Sequence, residues 1–174
     1  MTAHKLGAAM TAPLVDTTDF QLIAEPGEDE AEDILLVAQM EDNAKYFLAS
    51  TVLPPRKDLL LAYALPGVIA LYLAQFETPI PSGESEGDME RWVVVGDLPC
   101  MHFQTEGFEK PDQALGLYCA LAEEWAEDVV TGRDLDNCYP IAAEPTSELA
   151  YMLLSRVRFI REEIVPVVRG EVTS

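Results

Sequence analysis

The apolar run from Leu59 to Phe76 constrains the fold more than any other feature of the chain. Its length is close to that of a minimal membrane-spanning helix. Pro66-Gly67 interrupts it in the middle, and proline breaks a helix by removing a hydrogen-bond donor and clashing with the preceding turn. The halves, Lys57–Leu65 and Val68–Phe76, are therefore predicted to be two buried strands joined by a turn, and no transmembrane segment is expected.

Two shorter segments extend this pattern. Trp92–Val95 reads WVVV, the clearest strand in the sequence, and Cys100–Gln104 follows after a Gly-Asp-Leu-Pro turn. Strands joined by turns this short pair antiparallel, because a parallel pair needs a long crossover. We predict an antiparallel sheet of three to four strands, spanning roughly residues 57–104.

Helices are predicted on either side of this sheet. The first covers residues 28–52, with an acidic first turn and an expected break near Asp42-Asn43. The second covers residues 111–131, from the Lys110-Pro111 start to a stop at Gly132. The third covers residues 146–165, from a Thr146 cap to Pro166. This order predicts an α+β fold, with the helices packed mainly on one face of the sheet.

The chain of 174 residues is long enough for one domain. We assign residues 1–18 to a loose leader, 19–166 to the domain and 167–174 to a flexible tail, and expect a short strand at Asp19–Ile23. The three cysteines are widely spaced and no export signal is recognised. Free thiols in a reducing cytoplasm are therefore expected.

Charge is the unusual part of the composition. The chain carries 31 acidic and 11 basic residues, for a formal net charge of -20. A nucleic-acid-binding protein needs a basic footprint to neutralise phosphates, and an anionic membrane surface attracts basic segments. Neither nucleic acid nor a membrane is therefore expected as a partner.

The sequence contains no complete catalytic or metal-binding motif. Phosphate-binding glycine loops and the serine nucleophile elbow are both missing from the sequence. Cys100-Met101-His102 offers a thiol and an imidazole, but a zinc site usually has four ligands with wider spacing. We interpret this segment as a strand with a buried cysteine and an outward histidine. No catalytic residue, cofactor or metal ligand is assigned.

The second predicted helix carries paired carboxylates. Glu123 and Glu127, like Glu124 and Asp128, stand four residues apart and so share a helix face. This run resembles the E-E-x-x-E element of all-α nucleotide pyrophosphohydrolases of the MazG type, which implies magnesium binding and hydrolysis. The E-x-x-D element of that family is not found, and its all-α fold differs from the strands predicted here. A solvated helix face is the favoured interpretation.

Acidic residues are also concentrated in the first helix and in the central loop. A concentrated negative field accelerates association with a basic partner. We therefore predict a non-enzymatic binding protein, of the inhibitor or immunity type, that neutralises a basic partner such as a toxin. The alternatives are a small magnesium-dependent hydrolase using the carboxylates near Trp125 and a structural subunit without catalysis. The predicted partner-binding residues are Glu28, Asp29, Glu32, Asp33, Glu84, Glu86 and Asp88.

Overall fold

The computed structural model describes residues 15, 17, 20, 30–81, 88–141 and 143–170. These residues form helices and strands in the predicted order. In chain order, the elements are α1 (Glu30–Ala49), β1 (Arg56–Leu65), β2 (Ile69–Phe76), β3 (Glu90–Gly96), β4 (Met101–Phe103), α2 (Pro111–Thr131), α3 (Ser147–Phe159), a π-helical turn (Ile160–Ile164) and α4 (Val165–Arg169).

The strands form one antiparallel sheet in the order β1-β2-β3-β4, which confirms the predicted sheet and α+β class. The β1–β2 turn contains Pro66-Gly67, and Gly67 adopts a left-handed conformation. Gly96 ends β3 in close contact with this turn, because a Cβ there would stand 2.2 Å from the Val68 carbonyl oxygen. Only glycine allows that approach, which aligns the ends of β2 and β3.

The two later helices begin at the predicted signals. The Lys110 N–H donates to Gln113 Oε1 at 3.2 Å, and Pro111 occupies the first turn of α2. Gly132, in the left-handed conformation, follows the last residue of α2. The Leu149 N–H donates to Thr146 Oγ1 at 3.2 Å and caps α3. Both boundaries follow from local capping chemistry.

Helices cover both faces of the sheet. The alternating side chains of β3 show this division, since Trp92 and Val94 pack in the core with α2 and α3, whereas Val93 and Val95 pack beneath α1. We call these the two-helix face and the α1 face. Most of the helical packing lies on the two-helix face, and α1 lies alone on the other.

Two features of the helices differ from the sequence predictions. Helix α1 is continuous through Asp42-Asn43, and Pro166 does not end the last helix, which continues to Arg169. Pro166 has no N–H to donate to the preceding turn, and its ring needs room there. The wide π turn just before it provides that room, and the proline then falls in the first turn of α4. Of the predicted strand Asp19–Ile23, only Phe20 is described, with its ring centroid 6.1 Å from that of Trp92.

Candidate functional site

Three of the seven predicted partner-binding residues are described. Glu32 and Asp33 lie in the first turn of α1, Glu32 exposed and Asp33 half-buried. Asp88 lies two residues before β3 and is half-buried. The other four predicted residues lie outside the described part of the chain: Glu28, Asp29, Glu84 and Glu86.

The fold separates Asp88 from the acidic start of α1. Leu36, one turn after Glu32, lies 3.6 Å from the Cβ position of Gly67 in the β1–β2 turn. Asp88 lies at the other end of the sheet, next to Glu90, which pairs with Gln75. The eight residues of β2 span this distance, roughly 25 Å at 3.3 Å per residue. Glu32 and Asp33, at the start of α1, therefore do not share one patch with Asp88.

The middle of α1 carries a second acidic pair, Glu41 and Asp42. Lys45 Nζ lies 2.8 Å from Glu41 Oε2, and Lys45 is the single basic residue of this helix. The hydroxyl of Tyr72 is buried beneath this part of the molecule, and it has no hydrogen-bond partner in the structure. Burial, and then the charges of Glu41 and Asp42, raise the pKa of Tyr72. The negative field of α1 thus extends into the core beneath it.

Helix α1 also exposes large apolar side chains. Ile34 is 56% exposed, Leu35 59% and Tyr46 80%. The buried side of the same helix is formed by Met40, Ala44 and Leu48. A helix that only covers a sheet is expected to be polar on its outer side. The outer face of α1 is instead both acidic and apolar.

The carboxylates near Trp125 lie at the C-terminal end of α2. Glu124, Asp128 and Cys138 place one ligand atom each within 4.8 Å of one another. The Cys138 thiol donates to Asp128 Oδ2 at 3.0 Å, and Arg133 Nη1 lies 3.3 Å from Asp128 Oδ1. Glu124 is exposed, as the solvated-face interpretation requires, but Asp128 is half-buried and holds the following loop.

The chemistry of this cluster favours a structural role. The hydrogen bond to Asp128, together with burial and the neighbouring carboxylates, raises the pKa of Cys138 to about 11. Cys138 is therefore a protonated thiol at neutral pH, whereas nucleophilic attack and metal ligation need the thiolate. Glu123 takes part in a different contact, because its Oε2 accepts from Arg161 Nη1 at 2.9 Å. No sequence spacing signals the approach of Cys138, since that contact depends on the path of the loop.

An open groove of about 420 Å³ runs beside this cluster, between the end of α2 and the middle of α3. Glu127, Val130 and Thr131 line it from α2, Leu154 lines it from α3, and Arg133 lines it from the loop. Arg133 connects the groove to the cluster through its ion pair with Asp128. The groove is lined by one acidic, one basic, one hydroxyl and two apolar side chains, which do not converge on one kind of chemistry.

His102 points toward α1 rather than outward. Arg91 Nε donates to His102 Nδ1 at 3.2 Å, and the ring of Phe47 lies 5.8 Å away between centroids. Burial and the charge of Arg91 lower the pKa of His102 to about 4. The half-buried Cys100 likewise has a pKa raised by burial. A neutral histidine whose Nδ1 is already an acceptor, next to a protonated thiol, does not form an activated nucleophile.

Tyr139 completes this contact from the loop after α2. Its hydroxyl donates to the His102 carbonyl oxygen and lies 3.1 Å from Arg91 Nη2. These contacts connect the loop to β4 at the edge of the sheet. Arg91, His102 and Tyr139 thus form a polar clamp between loop and sheet, which sequence spacing does not reveal.

No protein-family model, curated protein or solved structure matches this chain. Among the helices of the described residues, none combines the length and the apolar character that crossing a bilayer requires.

Proposed function

We propose that this chain is a non-enzymatic binding protein for a basic protein partner, of the inhibitor or immunity type. The observation that carries the proposal is the composition of α1. The helix has five carboxylates and one lysine, and that lysine is already paired with Glu41. Surface ion pairs contribute little to stability, so folding alone gives little reason to collect carboxylates on one helix. Binding to a basic partner does give a reason to collect them there.

The distribution of salt bridges supports this reading. Four of the five salt bridges among the described residues involve an arginine of the loop after α2 or of the C-terminal helices. Arg161 and Arg169, for example, pair with carboxylates of α2. The carboxylates near the C-terminal helices thus have cationic neighbours within the molecule, and Glu41 of α1 has Lys45. By its own sequence, α1 carries five carboxylates and one lysine, and therefore a net negative charge.

A steered association follows from this imbalance. Long-range attraction acts over about a Debye length, roughly 8 Å at physiological salt, so it raises the association rate before any contact forms. A toxin with a basic active site is the type of partner that this field suits. We also propose a cytoplasmic location, because the three cysteines are free thiols.

The magnesium-dependent hydrolase receives no support from the geometry of its carboxylates. Magnesium prefers oxygen ligands in octahedral geometry. The side chain that closes on Glu124 and Asp128 is instead a protonated thiol. We therefore advance the binding function alone.

Affinity capture with two matched variants tests the proposal. In the first variant, four residues of α1 are neutralised: Glu32→Gln, Asp33→Asn, Glu41→Gln and Asp42→Asn. In the second, four exposed carboxylates elsewhere lose the same charge: Glu124→Gln, Glu127→Gln, Glu162→Gln and Glu163→Gln. Wild type and both variants serve as baits in a lysate of the cell in which the protein occurs naturally, at low and at high salt.

We expect a basic protein that wild type and the second variant retain at low salt and that the first variant loses. Its association rate, measured by surface plasmon resonance, should fall at least tenfold when salt is raised, while its dissociation rate changes less. Circular dichroism and thermal melting check that both variants fold. An association rate that is indifferent to salt and equal for the two variants would contradict steering and would leave acidity as a means of solubility.

A further inference from the structure

The outer surface of α1 has the pattern of a helix that packs against another helix. At 100° per residue, six exposed positions fall within one sector of about 80°, opposite the buried residues. We call this sector the outer seam, and its residues are Ala31, Leu35, Ala38, Asp42, Tyr46 and Ala49. Their spacing of three and four residues is that of a helix–helix contact.

This seam contains two large side chains, one near each of its ends. Leu35 and Tyr46 are 59% and 80% exposed, and about 16 Å of helix separates them. The residues between and beside them are mostly alanine, which allows a partner backbone to approach closely. Exposed tyrosine is one of the side chains that most often carry binding energy at interfaces.

Asp42 lies between these two anchors. It is exposed, and within the described residues it forms no salt bridge. A single charged residue in an otherwise apolar helix seam selects the partner and its register, because it needs an opposite charge across the contact. The charge complementary to Asp42 is that of a lysine or an arginine.

The same charge argues against a second copy of this chain as the occupant. A symmetric pair through α1 would bring five carboxylates of each helix together, on chains that each carry a net charge of -20. A β-strand of a partner is also unsuited as the occupant. The backbone groups of a helix are hydrogen-bonded within the helix, so α1 has no free edge with which a strand could pair. The remaining occupant is a helix with an apolar seam and basic flanks.

We infer that the outer seam of α1 binds an amphipathic basic helix of the partner. Its apolar residues pack between Leu35 and Tyr46, and a lysine or arginine reaches Asp42. This inference rests on the proposed function and adds the position and chemistry of the contact. Charge brings the partner to α1, and the apolar anchors hold it there.

Two synthetic helical peptides of equal charge serve as probes. Both carry lysines on their flanks and one lysine in the middle of the seam; the first has leucine at the other seam positions and the second has serine. Fluorescence anisotropy gives the affinity of each for wild type, for Leu35→Ser/Tyr46→Ser and for Asp42→Asn. The control variant Tyr151→Ser/Met152→Ser removes exposed apolar side chains of α3, which are 60% and 36% exposed.

We expect the leucine peptide to bind wild type at least tenfold more tightly than the serine peptide. Leu35→Ser/Tyr46→Ser should remove this difference, Asp42→Asn should weaken the leucine peptide about fivefold, and the α3 variant should match wild type. All the substituted side chains are exposed, so the variants should fold, and thermal melting checks this.

Equal affinity of the two peptides, or an equal loss in the α3 variant, would overturn the inference. If that equal binding still weakens with salt and with the fourfold neutralisation of α1, the electrostatic function stands and only the apolar contact is wrong. If the leucine peptide instead binds through Leu35 and Tyr46 but is indifferent to salt and to neutralisation, the apolar contact is correct, while steering and the ion pair with Asp42 are both wrong.

Discussion

The two faces of the sheet are covered very differently. The two-helix face contains the largest side chains of the molecule, such as Trp92, Trp125 and Tyr118. The α1 face is rich in alanine, and four of its buried residues are Ala44, Ala64, Ala70 and Ala74. Small side chains bury less apolar area per residue, so the α1 face stabilises the fold less.

Hydrogen bonds follow the same division. On the two-helix face, Trp92 Nε1 donates to the Phe108 carbonyl at 2.7 Å and the Tyr118 hydroxyl donates to the Pro99 carbonyl at 2.9 Å. On the α1 face, the Tyr72 hydroxyl is buried without a partner. Trp92 and Tyr118 on the first face therefore have hydrogen-bond partners, while the buried hydroxyl of Tyr72 on the second face has none and lowers stability there. Helix α1 packs on the less stabilising face, so its outer surface can serve binding with little effect on the stability of the core.

The largest expected effect compares one substitution on the two faces. Leu115 of α2 is fully buried on the two-helix face, and Leu48 of α1 is 6% exposed on the other. We expect Leu115→Ala to lower the free energy of unfolding by about 4 kcal/mol and Leu48→Ala by about 2 kcal/mol, because the alanine-rich site leaves a smaller cavity. Urea denaturation measures both. Equal losses would show that the two faces stabilise the fold equally.

A pH dependence should belong to the α1 face. Because the pKa of His102 is lowered to about 4, the unfolded chain binds a proton that the folded chain does not bind between about pH 6.5 and pH 4. The contribution of His102 is therefore fully present above pH 6.5 and is lost as pH falls toward 4. We expect a loss on the order of 2 kcal/mol from this group, since partial exposure reduces the effect.

The measurement compares wild type with His102→Gln by urea denaturation at pH 7 and pH 4.5. The many carboxylates titrate in both proteins, so the difference between the two isolates His102. Wild type should lose more stability on acidification than His102→Gln does. Parallel losses would mean that His102 accepts a proton in the folded state and that the contact with Arg91 does not hold it neutral.

The smallest effects are expected at the acidic end of α2. Glu124 is exposed, so Glu124→Gln should change the free energy of unfolding by less than about 0.5 kcal/mol. Asp128 accepts from Cys138 and pairs with Arg133, so Asp128→Asn should cost about 1 kcal/mol. Thermal melting with and without magnesium checks both. A magnesium-dependent rise in melting temperature confined to wild type would instead indicate an ion site there.

Local chemistry made most of the fold predictable. The Pro66-Gly67 turn, the WVVV run and the Lys110-Pro111 start each depend on a few adjacent residues, and each stands where it was predicted. The end of the last helix was predicted wrongly at Pro166, because a π turn can absorb a proline that an α-helix cannot. No sequence pattern within five residues of Pro166 predicts the π turn.

The contacts of the candidate site were less accessible to sequence reasoning. The carboxylate pair Glu124 and Asp128 follows from helical spacing alone. The approach of Cys138 to Asp128, and of Tyr139 to His102, depends on how the loop after α2 crosses the edge of the sheet. The predicted function of Glu32, Asp33 and Asp88 stays a prediction, and their separation along the sheet could be read only from the register of β2 and β3.

The π turn also fixes the rotational phase of everything that follows it. Ile164 and Val165 are neighbours in sequence, and both side chains are buried against the core. Because a π turn holds one residue more than an α turn, removing one residue from it would restore an ordinary α-helix and leave the later residues facing the core nearly as before. A deletion of one residue within α3 would instead rotate every later residue by about 100° relative to the core, and so would displace a whole helical face and not one side chain.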